Sequence, residues 1–191
     1  MQVFHSKSTQ ILSVVIAVAM LLALASIFAT DGVEGLIRSA APVGLVIFVA
    51  LMLFWFPNVS VSEHQVVIRN VIRSHFIPME KIVRIDTKWA LTLYLESGSK
   101  VTSWSATAPG RHSSIFASRD QGDYLPESTY LAGTVRPGDL VTSDSGAAAA
   151  QVRRYWEQRS DSTDQAVVTR WHLGQLIIVS ALLGFSFLSL Q

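Results

Sequence analysis

The chain has 191 residues, half of them hydrophobic and 15% charged, with a formal net charge of +1 and no cysteine. A soluble domain carries about 25% charged residues, so much of this chain is composed for an apolar solvent, and its near-neutral balance points to neither nucleic acid nor an acidic substrate. Without thiols there are no disulfides, thiolate zinc sites, iron–sulfur clusters or cysteine nucleophiles.

Taken in chain order, residues 11–30 form an uncharged run. As a helix it would be about 30 Å long, the thickness of a hydrocarbon core. Residues 39–56 are a second uncharged run, ending in Phe54, Trp55 and Phe56 before Pro57. Aromatic rings favour the headgroup level and proline cannot continue a helix, so a span is expected to stop there. Residues 173–190 form a third run, with Trp171 and His172 at its entrance. Three such runs in so small a chain favour membrane spans over buried core helices. Ala23-Leu24-Ala25 resembles a leader cleavage site, but the first run exceeds the about 7–15 apolar residues of a leader and is read as a membrane helix.

Charge sets the expected direction. Lys7 lies on the N-terminal tail, and Arg69, Arg73, Arg153, Arg154, Arg159 and Arg170 lie between the second and third runs. The short loop at 31–38 has Arg38 against Asp31 and Glu34. The tail and the long stretch are therefore expected in the cytoplasm, with the loop and Gln191 outside. The runs hold no charged residue and so read as anchors rather than a conduit. Small residues recur at a spacing of four, notably Ser180 and Gly184, which would let helices pack closely.

Between the runs, residues 65–70 read as a strand rich in β-branched residues, and 75–77 and 82–85 suggest two more. Leu91-Thr92-Leu93-Tyr94-Leu95 alternates apolar and polar, 96–99 is a turn, and 101–105 returns as a second arm bearing Trp104. Residues 106–142 are rich in Ser, Gly, Pro and Asp; they either hold further short strands, such as 129–135, or form a mobile excursion. A helix follows from Ser143 or Asp144 to about Arg159, with Val152, Tyr155 and Trp156 on one stripe. Residues 160–164 are a polar linker.

The run Glu63-His64-Gln65-Val66-Val67-Ile68-Arg69-Asn70, then Arg73-Ser74-His75-Phe76-Ile77-Pro78 and Ile82-Val83-Arg84-Ile85, resembles the opening of the bacterial PH-like domains. Leu93-Tyr94-Leu95-Glu96-Ser97-Gly98-Ser99-Lys100-Val101 is similar to their second hairpin. The similarity covers residues 61–105, departs at Met79, where the family carries Trp, and is greatest to the actinobacterial membrane-anchored group. It implies a seven-stranded bent sheet capped by one helix. It also implies a role as an accessory factor of the cytochrome bcc–aa3 respiratory supercomplex.

The expected architecture is thus a membrane protein with three transmembrane α-helices and one α+β soluble domain. Residues 1–57 hold the first two helices (11–30 and 39–56), 58–160 the cytoplasmic PH-like domain, 161–172 a linker and 173–190 the third helix. No hydrolase, nucleotide-binding or metalloprotease motif occurs, and the five histidines are scattered, so no catalytic residue, metal or cofactor is expected. Two sets of cations are the candidate contacts. Arg69, Arg73, Lys81 and Arg84 could grip an anionic lipid headgroup, although Glu80 and Asp86 interleave as on an ordinary solvated face. Arg153, Arg154, Arg159 and Arg170 form the expected membrane-proximal basic cluster. The leading reading is a non-catalytic scaffold that meets other integral membrane proteins through its helices; the alternative is a sensor of anionic lipids. Neither nucleic acid nor a small-molecule substrate is expected.

Overall fold

A computed structural model describes residues 2–108, 139, 143–158 and 165–189. In chain order the elements are β1 (Gln2–Phe4), α1 (Lys7–Ala50), a π-helical turn (Leu51–Trp55), β2 (Asn58–Val61), β3 (Gln65–Arg69) and β4 (Arg73–Pro78). Then come a 3-10 turn (Met79–Lys81), β5 (Ile82–Asp86), β6 (Ala90–Leu95), β7 (Lys100–Thr107), α2 (Asp144–Glu157), β8 (Val168–Trp171) and α3 (Leu173–Ser189). They fall into two compact units: Met1–Ser6 with Asn58–Arg170, and Lys7–Pro57 with Trp171–Gln191.

The first unit is built on two sheets, one ordered β1-β2-β3-β4-β8 and one ordered β5-β6-β7. Alternation sets their faces. In β3, Val66 and Ile68 are buried while Gln65, Val67 and Arg69 are half-exposed; in β6, Leu91, Leu93 and Leu95 are buried between Thr92 and Tyr94. A period of two sends alternate side chains to one face, and that face here is the core. The β6–β7 hairpin closes on Gly98, whose φ of 77° is a conformation that favours glycine. Its N–H donates to the Leu95 carbonyl at 2.9 Å.

α2 covers this core. The Ser143 hydroxyl caps it by accepting the Gly146 N–H at 3.0 Å. Ala148, Ala149 and Val152 are fully buried against the sheets, with Tyr155 and Trp156 packed beside them. Trp156 Nε1 donates to the Ile82 carbonyl at 2.8 Å, so the half-buried ring has its polar atom satisfied.

The second unit is apolar and helical. α1 contains Pro42, and Gly32 leaves the helical region with φ 64° and ψ −150°. A Cβ placed on Gly35 would lie 3.0 Å from Ile27 Cγ2 and 2.5 Å from Asp31 Cβ. Residues eight apart in a straight helix are separated by about 12 Å, so the axis bends sharply at Gly32. α3 packs against α1, with Leu182 Cδ2 3.9 Å from the Cβ position of Gly44. The π-helical turn brings the Phe56 N–H to the Leu51 carbonyl at 3.0 Å, and Phe56 lies edge-on to Phe48 with centroids 6.5 Å apart.

Several expectations are corrected. The described residues contain three helices, and only Lys7–Trp55, 49 residues, is long and apolar enough to cross a membrane. Residues 31–38, expected as a loop between two spans, are helical and join them into that one element, Gly32 apart. α3 has 17 residues and so reaches about 26 Å, short of the about 30 Å of a hydrocarbon core. The expected three transmembrane helices beside a separate domain therefore do not describe this fold. Nor, among the described residues, is there one bent seven-stranded sheet: their eight strands form a five-stranded and a three-stranded sheet, and two of them lie where a tail and a linker were expected. β1 pairs with β2 (Val3 opposite Ser60), and β8 lies beside β4. The region 109–138, including the strand expected at 129–135, lies outside the described residues.

Candidate functional site

The most distinctive surface feature of the sheet-bearing unit is the β3–β4 turn. Antiparallel pairing sets Arg69 opposite Ser74, and the Asn70 N–H donates to the Arg73 carbonyl at 2.9 Å, closing the turn. The Asn70 side chain then spans to the other sheet. Its Nδ2 donates to the Thr102 carbonyl at 2.8 Å, and its Oδ1 accepts the Trp104 N–H at 2.8 Å. Both ends of one amide are thus bonded to the backbone of β7, which fixes the turn beside Trp104. The ring of Trp104 points outward, 51% exposed, and Ile72 at the turn is 43% exposed. Arg73 is exposed, and the sequence carries no carboxylate between Glu63 and Glu80, so the hairpin itself contributes only basic charge at this end.

The four expected headgroup residues do not form one cluster. Arg69 and Arg73 share the turn, but Arg73 and Pro78 stand at opposite ends of β4, about 17 Å apart at 3.4 Å per residue. Lys81, beyond Pro78, is 3.3 Å from Glu96 in a surface ion pair. Arg84 on β5 lies opposite Tyr94 in register and stacks over its ring at 3.9 Å. Both belong to the three-stranded sheet and its neighbouring turns.

The expected membrane-proximal cluster also divides. Arg153 is buried, and its Nη2 donates to Asp139 Oδ1 at 2.8 Å, an oxygen that also accepts the Thr87 hydroxyl at 2.7 Å. Its charge is matched inside the protein and is not offered to lipid. Arg154 is exposed on α2, Arg170 is exposed on β8 over the Phe76 ring at 5.2 Å, and Arg159 lies outside the described residues. Ser180 and Gly184 sit on the exposed side of α3, with nothing within 4 Å of a Cβ added to Gly184. The less exposed positions are Gln175, Leu176, Val179, Leu182, Ser186 and Ser189, and α3 meets α1 at Leu182.

β8 brings a further pair together. His75 is buried on β4, with Nδ1 3.0 Å from the Thr169 hydroxyl. Burial, and then the positive charge of Arg73, holds its imidazole below the usual histidine range. Among the described residues no three His, Asp or Glu side chains stand close enough to hold a metal ion.

Sequence reasoning missed the Asn70 bridge, the Thr87–Asp139–Arg153 network and the role of β8. The sequence around the turn, Arg69-Asn70-Val71-Ile72-Arg73, does carry a signal, since two apolar residues between two arginines are unusual in a solvated turn. Asp139 carries none. No family model matches the chain, and searches of curated proteins and of solved structures likewise find no match.

Proposed function

We propose that the chain is a non-catalytic, membrane-anchored scaffold with its sheet-bearing unit on the cytoplasmic side, acting as an accessory or assembly subunit of a larger membrane complex. The observation that carries this reading is the outward apolar surface of the helical unit. Ile11, Leu22, Ile37, Ile177, Phe185 and Phe187 all stand exposed, and only 6% of the most apolar stretch of α1 is buried. A core helix would be mostly covered by its own protein; this one needs lipid or another membrane protein around it. The open Ser180–Gly184 side of α3 suits close approach of a further helix.

The respiratory cytochrome bcc–aa3 supercomplex is the assembly suggested by the resemblance of residues 61–105. Purification of the tagged full chain from native membranes in a mild detergent tests this. Stoichiometric co-elution with cytochrome subunits is expected, and elution as a lone polypeptide would reject the scaffold reading.

A second reading, recognition of anionic lipid headgroups, is favoured by the basic β3–β4 turn. Replacing both Arg69 and Arg73 by Gln should weaken the preference for anionic bilayers by about fivefold for each charge removed. An unchanged preference would reject that site.

A further inference from the structure

The turn carries more than charge. Ile72 and Trp104 are large apolar side chains held about half-exposed, on elements that the two hydrogen bonds of Asn70 tie together. A solitary exposed apolar residue is ordinary, but here two stand next to a turn with an arginine at each end and no acid between residues 65 and 79. Tryptophan favours the boundary between headgroups and acyl chains, where its ring is apolar and its N–H stays wet. The same chain carries a helix long and apolar enough to place it at a membrane.

Resting on the headgroup reading of Arg69 and Arg73, we infer that Ile72 and Trp104 form a membrane-inserting edge. The two apolar side chains enter the upper acyl region of an anionic bilayer while the arginines meet its phosphates. Asn70 is the positioning residue: it touches no lipid in this arrangement but holds the turn against β7. Because the edge is rigid before it meets the bilayer, little ordering is required on docking.

The absence of native cysteine allows a single reporter at each position. The full chain carrying Ile72→Cys or Trp104→Cys, labelled with an environment-sensitive fluorophore, is reconstituted into nanodiscs of equimolar phosphatidylcholine and phosphatidylglycerol. Discs of phosphatidylcholine alone serve as the reference. Lipids bearing a spin label either on the headgroup or in the upper acyl chain are the quenchers, and Ser97→Cys in the exposed β6–β7 turn is the control. The inference expects both labels to be quenched from headgroup and acyl positions in the anionic discs. Arg69→Gln with Arg73→Gln should weaken that quenching, and Asn70→Ala should weaken it at one label relative to the other. Quenching from the headgroup position only would overturn the insertion while leaving the headgroup reading standing. Quenching from neither position would reject both. The two label sites are independent, so misfolding of one variant leaves the other decisive.

Discussion

The two units bury their apolar residues in opposite senses. In the sheet-bearing unit Leu93 is 0% exposed, inside a closed cluster shared by both sheets and α2. In the helical unit Leu22 is 67% exposed, on a helix with similar neighbours on every side. The first unit supplies its own apolar environment; the second takes its environment from outside. The same side chain therefore means different things in the two places, and substitutions can separate them.

The largest effect is expected at the buried ion pair. Arg153→Ala leaves Asp139 buried without its cation, and such losses cost about 3–5 kcal/mol. Chemical denaturation of the full chain in detergent, followed by tryptophan fluorescence, to which the half-buried Trp156 contributes, should show it; a change confined to a few tenths would mean the pair is not buried in solution. Next, Leu93→Ala should destabilise by about 2–5 kcal/mol through a cavity and lost transfer energy. The equivalent Leu22→Ala should stay within about 0.5 kcal/mol in the same assay. Equal effects at the two positions would erase the distinction between the units. The Leu22 surface can be tested from the other side with Leu22→Lys, which should impair membrane integration by about 2.5–3.5 kcal/mol, measured as the fraction glycosylated or alkali-resistant.

Asn70→Ala removes two hydrogen bonds at once and should cost about 1–3 kcal/mol. Amide hydrogen exchange should rise at Thr102–Trp104 and in the turn while α2 stays protected. The smallest effect is pH-dependent. His75 has its folded pKa lowered, chiefly by burial and then by Arg73. Between that value and the about 6.5 of an unfolded histidine, the unfolded chain binds the proton more readily. Stability therefore rises with pH through this window and is lost as pH falls below about 6.5. Denaturation midpoints between neutral and mildly acidic pH should show this slope, and His75→Gln should flatten it.

Much of the core was legible from the chain. β3 appeared as a run of β-branched residues, β6 as an alternation followed by a turn, and α2 as a Ser143 or Asp144 cap followed by alanines and the Val152–Tyr155–Trp156 stripe, because composition, period and capping are local properties. β1 and β8 were not legible. At three and four residues they are too short for a periodic signal, and β2 and β4, distant in sequence, supply the pairing that makes them strands. The candidate site was half legible. Arg69 and Arg73 were found as charges in a turn, but Lys81 and Arg84 follow Arg73 within a dozen residues and still end up in the turn before the other sheet and on that sheet. Chain proximity does not set distance once a strand of about 17 Å intervenes.

By itself, then, the sequence determined composition-driven properties: an apolar helical part suited to a membrane, a strand-rich middle and a capped amphipathic helix. These rest on interactions within a few residues or on total apolar content. Tertiary structure alone decided where the charge of Arg153 goes. The apolar stripe of the helix already sets Arg154 on the opposite, exposed face and Arg153 at its edge, but the pairing of Arg153 with Asp139 is recorded by no local pattern. It also decided that the break at Gly32 lies within one helical element, that the described part of α3 is 17 residues long, and that Asn70 ties the basic turn to Trp104. Each of these depends on a partner remote in the chain or on a backbone geometry that no local pattern records.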